Sequence, residues 1–227
     1  MPTPEPTPTP YVIEISLPSD TVTALKGEKF ALHGFKAVKS RIGGAAPLVW
    51  FSDPSFLTTT KVAWTEQYQA YISDTKIISD GTIVASAAAD ITLGQTANVD
   101  VDGNLETVSE GTASAISILN ESSTQYTAGI SQKVAGSANP MCAIPLHGNM
   151  LDVVVPIEKV LLTFASRTVN TGTVIYKAYA PSLLIDLTEK STRKVNFDIN
   201  EGWSWDDGTW ATPIKAQADL VPLLIHS

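Results

Sequence analysis

Lys61–Ile72 reads KVAWTEQYQAYI and is the longest stretch of the chain with a clean period of two. Val62, Trp64, Glu66, Tyr68, Ala70 and Ile72 fall on one face, and Lys61, Thr65, Gln67 and Gln69 on the other. Alternation of this kind puts successive side chains on opposite sides of a strand, and aromatic and β-branched residues on one side suit a half-buried sheet. Glu66 is the one polar residue on the apolar face. A buried carboxylate must be hydrogen-bonded or neutral, because an unpaired buried charge is strongly destabilising. Glu66 is therefore either a polar anchor inside a pocket or a rim residue paired with a Lys or Arg.

The segments on either side carry the same signature. YVIEISL from Tyr11, KFALHGFKAVKS from Lys29 to Ser40, and PLVWF over residues 47–51 read as strands, separated by turn chemistry at Arg41-Ile42-Gly43-Gly44 and Ser52-Asp53-Pro54-Ser55. Residues 75–120 are poor in aromatics and rich in Ala, Ser, Thr, Val and Ile, which suits thin edge strands or a subunit contact. Heavier strand-like segments follow to Ile225. Val153, Val154, Val155, Val160, Thr163 and Phe164 favour a strand over a helix there, with Pro156 marking a bend or an edge. The pattern predicts an all-β chain, an antiparallel β-sandwich of roughly ten to twelve short strands with no significant helix. No internal repeat points to a propeller or solenoid. Residues 1–10, MPTPEPTPTP, read as a flexible polyproline-type tail, and residues 11–227 as a single domain.

Lys and Arg number 15 against 23 for Asp and Glu, a net charge of -8 with the cations scattered, so neither nucleic acid nor an anionic membrane is an expected partner. Cys142 is the only cysteine, and the first residues have neither a basic nor an apolar signal region, which together predict a cytoplasmic protein. Asn120-Glu121-Ser122 matches a glycosylation sequon that such a location would leave unused.

Catalytic patterns are thin, and a non-enzymatic protein is expected. Neither a Gly-x-Ser-x-Gly elbow nor His-Glu-x-x-His occurs. Cys142 and His147 suggest a dyad on paper, but Pro145 lies between them, and an inert buried thiol is the plainer reading. Asn98-Val99-Asp100-Val101-Asp102-Gly103 matches the first half of a calcium loop, yet its twelfth position falls on Ser109, and a hairpin turned at Asp102-Gly103 explains the same residues without an ion.

The aromatics carry the functional expectation. Asn200–Trp210, NEGWSWDDGTW, holds three of the five tryptophans. Trp203 and Trp205 would share a strand face, and Asp207-Gly208 would turn the chain to bring Trp210 back. Such a wall can lid a core, stack a sugar, or line a cleft for a flat conjugated molecule. The candidate ligand-binding residues are Trp64, Glu66, Tyr68, Trp203, Trp205 and Tyr176, with the first three on a strand opposite the tryptophan pair. The expected partner is a small apolar molecule held without a metal. A carbohydrate is the alternative, making the protein a lectin, and a storage or defence protein is the second alternative. A homo-oligomer could form through the small-residue strands.

WTEQYQAY (64–71), GISQKVAG (129–136), PMCAIPLHGN (140–149), NTGTVIYKAY (170–179) and INEGWSWDDGTW (199–210) resemble a group of basidiomycete fruiting-body β-proteins that includes pigment-bearing chromoproteins of Pleurotus (oyster) mushrooms. The resemblance implies a protein holding a conjugated apolar organic chromophore, and it brings no pigment-ligating motif that can be placed on particular residues.

Overall fold

The computed structural model describes residues 10–166 and 169–227, so the expected tail lies, but for Pro10, outside the described residues. The chain opens with β1 (Tyr11–Ser16), the helix α1 (Ser19–Gly27), β2 (Ala31–Lys39), β3 (Ala46–Pro47), β4 (Phe51–Asp53) and β5 (Thr59–Ser73). Short strands follow, β6 (Ala87–Ile91), β7 (Thr96–Val99), β8 (Leu105–Val108) and β9 (Ile116–Asn120). After them come β10 (Tyr126–Val134), β11 (Ser137–Pro140), β12 (Cys142–Leu146) and the longest strand, β13 (Met150–Ala165). The remaining elements are β14 (Ser182–Asp186), β15 (Thr192–Asp198), β16 (Gly202–Ser204), β17 (Ala211–Ile214), a short helix α2 (Val221–Leu224) and β18 (Ile225–His226).

The fold is all-β, built as two nine-stranded sheets. One runs β16-β15-β1-β5-β10-β12-β3, with β6 beside β5 and β11 beside β10. The other runs β17-β14-β13-β9-β7-β8, with β2 beside β13, and β4 and β18 beside β2. Both sheets feed one core, Ile13, Val62 and Ile130 from the first meeting Leu32, Ile116 and Leu162 from the second. Three pairings are parallel, β1 with β15, β7 with β9 and β18 with β2, where antiparallel pairing throughout was expected. Hairpin-linked strands must run antiparallel, but segments far apart in the chain can meet in either direction. The extra strands beyond a dozen are mostly pieces of two to five residues, too short to show a period.

Pro156 sits opposite Val38 in the β13–β2 ladder, just between the part of β13 that pairs with β9 (Met150–Val154) and the part that pairs with β14 (Lys159–Thr163). Among the described residues no strand pairs with the other edge at that point, so the missing N–H breaks no ladder bond there. A bulge follows, Ile157 facing Ala37 and Val160 facing Lys36. Two residues, Glu158 and Lys159, are thereby looped out of register.

β2 is buried along eight successive residues. Its two faces enter different cores: Leu32 and Val38 join the cluster shared by the two sheets, while Phe35 and Ala37 pack with Val49, Ile175, Leu220 and Leu224 outside it. Gly34 is required by close approach, because a Cβ there would meet Cε1 of Phe51 at 2.0 Å.

α1 was not expected from the sequence. Its first half carries Thr21, Val22 and Thr23, all weak helix formers, and its packing rather than its propensity holds it. Thr21 and Leu25, four residues apart on one face, are its buried residues.

Candidate ligand site

The six residues singled out in the sequence occupy three separate places. Trp64 lies level with Tyr11, and Trp203 with Phe197, one residue beyond the Asn196–Ser16 pair, with β1 and β15 between their strands. That register puts them about 20 Å apart along the strands and about 14 Å across them. The expectation of a single cleft between Trp64–Tyr68 and Trp203–Trp205 is therefore corrected: both segments belong to one sheet and lie side by side, not face to face.

Trp64 and Tyr68 are buried and pack in the shared core. They belong to a cluster centred on a residue the sequence reading passed over, Lys36. Its ammonium is fully buried, lies 4.9 Å from the Trp64 ring centre and 5.8 Å from that of Trp50, and meets the Glu158 carboxylate at 2.5 Å. Trp64 Nε1 donates to the same carboxylate oxygen at 3.3 Å. Tyr11 stacks on Trp64 at 5.6 Å and donates its hydroxyl to Glu66 at 3.2 Å, so Glu66 is an exposed rim residue whose partner is a phenol and not the cation expected. Burial, with the charges of Glu158 and Glu66, pushes the Tyr11 hydroxyl up to about 12. Burial holds the Lys36 ammonium below its usual range against the opposing pull of Glu158. The signal for Lys36 was present: Leu32, Gly34, Lys36 and Val38 alternate onto one face of β2.

Trp203, Trp205 and Trp210 are half-buried and pack against the shared core. The local turn forms as expected, with Asp207 at φ 58° and the Gly208 N–H donating to Asp206. Trp205 Nε1 donates to the Gly208 carbonyl at 2.8 Å and Trp210 Nε1 to Asp206 at 2.9 Å, while the Arg193 guanidinium lies 4.6 Å over the Trp210 ring. Their indole N–H groups are thus committed to the turn. Trp203 behaves differently. Its Nε1 donates to the Pro181 carbonyl at 3.3 Å, its ring stacks on Phe164 at 5.6 Å and lies tilted against Phe197 at 4.8 Å, and Phe164 in turn meets Phe197 at 4.6 Å and Phe56 at 5.0 Å.

Above this row of rings opens a cleft of about 410 Å³, lined by Leu25 of α1, Phe30, Phe164, Pro181, Phe197 and Ile199, with Asn200 and Glu201 at its polar end. Its lip is built by one carboxylate. Asp198 accepts the backbone N–H groups of Asn200 at 2.7 Å and Glu201 at 3.2 Å, and the Thr21 hydroxyl at 3.2 Å. These bonds, the Asn200 N–H first, hold its carboxyl below the usual range. The Ile199 N–H donates to the same Thr21 hydroxyl, so the β15–β16 turn is tied to the first turn of α1 and Ile199 stays 44% exposed at the mouth.

Tyr176 lines a second cleft, about 480 Å³, whose walls are mixed: Asp74, Lys76, Gln125, Thr127 and Tyr126 face it with Ile77 and Pro145. Among the described residues the segment carrying Tyr176 makes isolated bridges, at Thr173, Val174 and Lys177, and is not one of the strands expected on the way to Ile225.

The remaining motifs resolve structurally. Asp100 accepts the N–H groups of Asp102 and Asn104 and the Asn104 carboxamide, closing the β7–β8 hairpin, and its carboxyl is held low by these bonds, the Asn104 side chain foremost. Among the described residues no group of three or more His, Cys, Asp or Glu is placed to hold a metal. Asn120 of the sequon is fully buried, donating to the carbonyls of Thr124 and His147 and accepting from Ser122. Burial pushes the Cys142 thiol up to about 12, away from any thiolate chemistry. No helix among the described residues is long and apolar enough to cross a membrane.

Comparison with protein-family models, with characterised proteins and with solved structures finds no match to this chain.

Proposed function

We propose that this protein is a non-enzymatic binder of a small, flat, apolar molecule, a conjugated organic chromophore of the kind the fruiting-body resemblance implies, acting in the cytoplasm and seated in the cleft over Phe164 and Phe197. The observation that carries the reading is an open apolar cleft lined by Phe164 and Phe197, two rings held in place by contacts with Phe56 and Trp203. Its volume of about 410 Å³ falls in the range of small-molecule sites, mostly apolar walls with a few polar groups at one end. Each ~100 Å² of apolar surface removed from water there would contribute about 2.5 kcal/mol before association costs. Asn200 and Glu201 take the role of polar anchor that the sequence suggested for Glu66, whose strand lies apart from this cleft. Exposed Ile78, Val84, Leu93 and Val101 lie among the small-residue strands and favour self-association there.

Protein purified from its source should absorb visible light and exceed the mass of the bare polypeptide until the ligand is extracted. Apo-protein should bind 1-anilinonaphthalene-8-sulfonate saturably, and Ile199→Asp at the mouth should abolish that binding without loss of stability. A colourless protein of bare polypeptide mass that ignores the probe would sink the reading.

The carbohydrate alternative has its own place. The Tyr126–Tyr176 cleft combines two tyrosines with hydroxyl, carboxamide and charged groups, the chemistry that stacks a sugar face and takes its hydroxyls. Retention on immobilised glycans, released by free sugar and lost in Tyr176→Ala, would favour it.

A further inference from the structure

Lys36 and Glu158 form an unusual pair. A lysine at the centre of a two-sheet core is costly, because taking an ion pair out of water commonly costs more than the attraction returns. The structure nevertheless brings several features to this one contact. The alternation of β2 points Lys36 between the sheets, and the β13 bulge, which sends Lys159 to Asp186 at 3.2 Å, turns Glu158 onto the amine. Nζ and Oε2 are 2.5 Å apart, with Lys36 at 0% and Glu158 at 13% side-chain exposure. Trp50, Trp64 and Tyr11 surround the amine with rings, and the Trp64 indole N–H is aimed at the carboxylate oxygen.

We propose that Lys36 and Glu158 condense in the folded chain to an internal amide, a covalent cross-link between β2 and β13. The ammonium first passes a proton to the carboxylate it touches, giving a neutral amine and a carboxylic acid. Burial favours that transfer from the side of Lys36, whose proton affinity it lowers. The Nζ lone pair then attacks Cδ of Glu158. A second amine proton moves to the departing hydroxyl, one C–O bond breaks as the C–N bond remains, and one water leaves. The balance is amine plus acid to amide plus water, with no oxidant, reductant or activating group required. Trp64 Nε1–H donates to the same Oε2 that takes the proton, and so assists its departure as water. Fixing the two groups in contact replaces a collision with effective molarities of about 10⁵–10⁸ M. The partial exposure of Glu158 gives the water a way out, and the product removes a buried ion pair from the core.

The test is mass spectrometry of the full wild-type chain, unfolded before analysis. The expected chain is lighter than its sequence mass by one water, and tryptic digestion of the unfolded chain yields a branched peptide joining the Lys36 and Glu158 segments, with no cleavage after Lys36. A full-mass chain cleaved after Lys36 overturns the proposal. So does a water loss that maps to a succinimide at Asp80-Gly81, Asp102-Gly103 or Asp207-Gly208 while Lys36 is still cleaved.

Discussion

Replacing Phe164 and Phe197 one at a time should separate what holds the cleft from what fills it. Phe164 is 2% exposed and packs on three rings, Phe56 at 5.0 Å, Phe197 at 4.6 Å and Trp203 at 5.6 Å. Phe164→Ala removes a buried ring and leaves a cavity, for which about 3–5 kcal/mol is expected. That figure already contains the ring–ring contacts, each about 0.5–1.5 kcal/mol beyond area burial. For a domain of this size the melting temperature should fall by roughly 6–20 °C. Phe197 is half-buried and leans over the cleft, so Phe197→Ala gives up about half of a full burial term, about 1 kcal/mol. Urea unfolding followed by tryptophan fluorescence reads the stability loss, with Trp203 reporting directly because its indole stacks on Phe164. Titration with 1-anilinonaphthalene-8-sulfonate reads the site. The expected pattern is dissociated: Phe197→Ala nearly as stable as the parent but at least tenfold weaker in binding, and Phe164→Ala strongly destabilised. If Phe197→Ala binds the probe as tightly as the parent, the ring row is core packing and the cleft above it is not the site.

Three further outcomes follow from single positions. Gly34→Ala would drive a methyl into Phe51, 2.0 Å from Cε1, and should cost at least about 1–3 kcal/mol, partly recovered by Phe51→Ala in a double-mutant cycle; simply additive losses would contradict the contact. Asp152 is 3% exposed with Ser40 and the Val153 N–H as partners, and burial raises its carboxyl above the usual range. The folded state then binds its proton more tightly than the unfolded chain, so this residue's contribution to stability is greatest below the unfolded value of about 3.9 and is lost as pH rises through the folded one. Asp152→Asn should therefore stabilise the protein at pH 7, with the advantage shrinking as pH falls toward about 4; a pH-independent difference would exclude this cause. Asn120→Ala leaves the Thr124 and His147 carbonyls and the Ser122 N–H without their partner and should cost about 1–3 kcal/mol by chemical denaturation, and folded protein offered to a glycosylating extract should gain no mass at Asn120.

What the sequence disclosed follows the range of the forces involved. The period of Lys61–Ile72 became β5, with Val62, Trp64, Tyr68, Ala70 and Ile72 all buried, because alternation is a local property of one strand. The strand reading of Val153–Phe164 held for the same reason. Glu66 broke its face because β5 bulges between Trp64 and Tyr68, which face Val134 and Gln132, and only Tyr11, 55 residues away, decides which partner it meets. α1 was hidden because Thr21 and Val22 argue against a helix, and its packing partners, Asp198 and Ile199, lie far along the chain. The tryptophans stood out by chemistry, but their spacing could not show that β1 and β15 would separate them from Trp64. The cleft itself is made by residues of ordinary types, Leu25, Phe30, Phe164 and Phe197, that no motif links. Lys36 was readable as a charge on a buried face, and its partner was not, since the bulge that delivers Glu158 is a matter of sheet register.

The double coverage of β2 has a bearing on how the chain is made. β2 takes β13 on one side and β4 and β18 on the other, and Ser40 donates its N–H to the His226 carbonyl. A nascent chain that has already exposed Ala31–Lys39 must therefore wait for residues 225–226 before that edge is closed. At about 5–20 residues per second the interval is roughly 10–40 s. Throughout it, the Val38–Lys39 end of that edge stays open although β4 and β13 can already flank the strand, and pairing over such separations is intrinsically slow. Ribosome-bound chains arrested before residue 220 should be cut by protease within Ala31–Lys39, and chains released after residue 226 should not. The strand that anchors the finished protein is thus its longest-standing liability during synthesis, which places chaperone demand at Ala31–Lys39, early in the sequence, and not at its thin, small-residue strands.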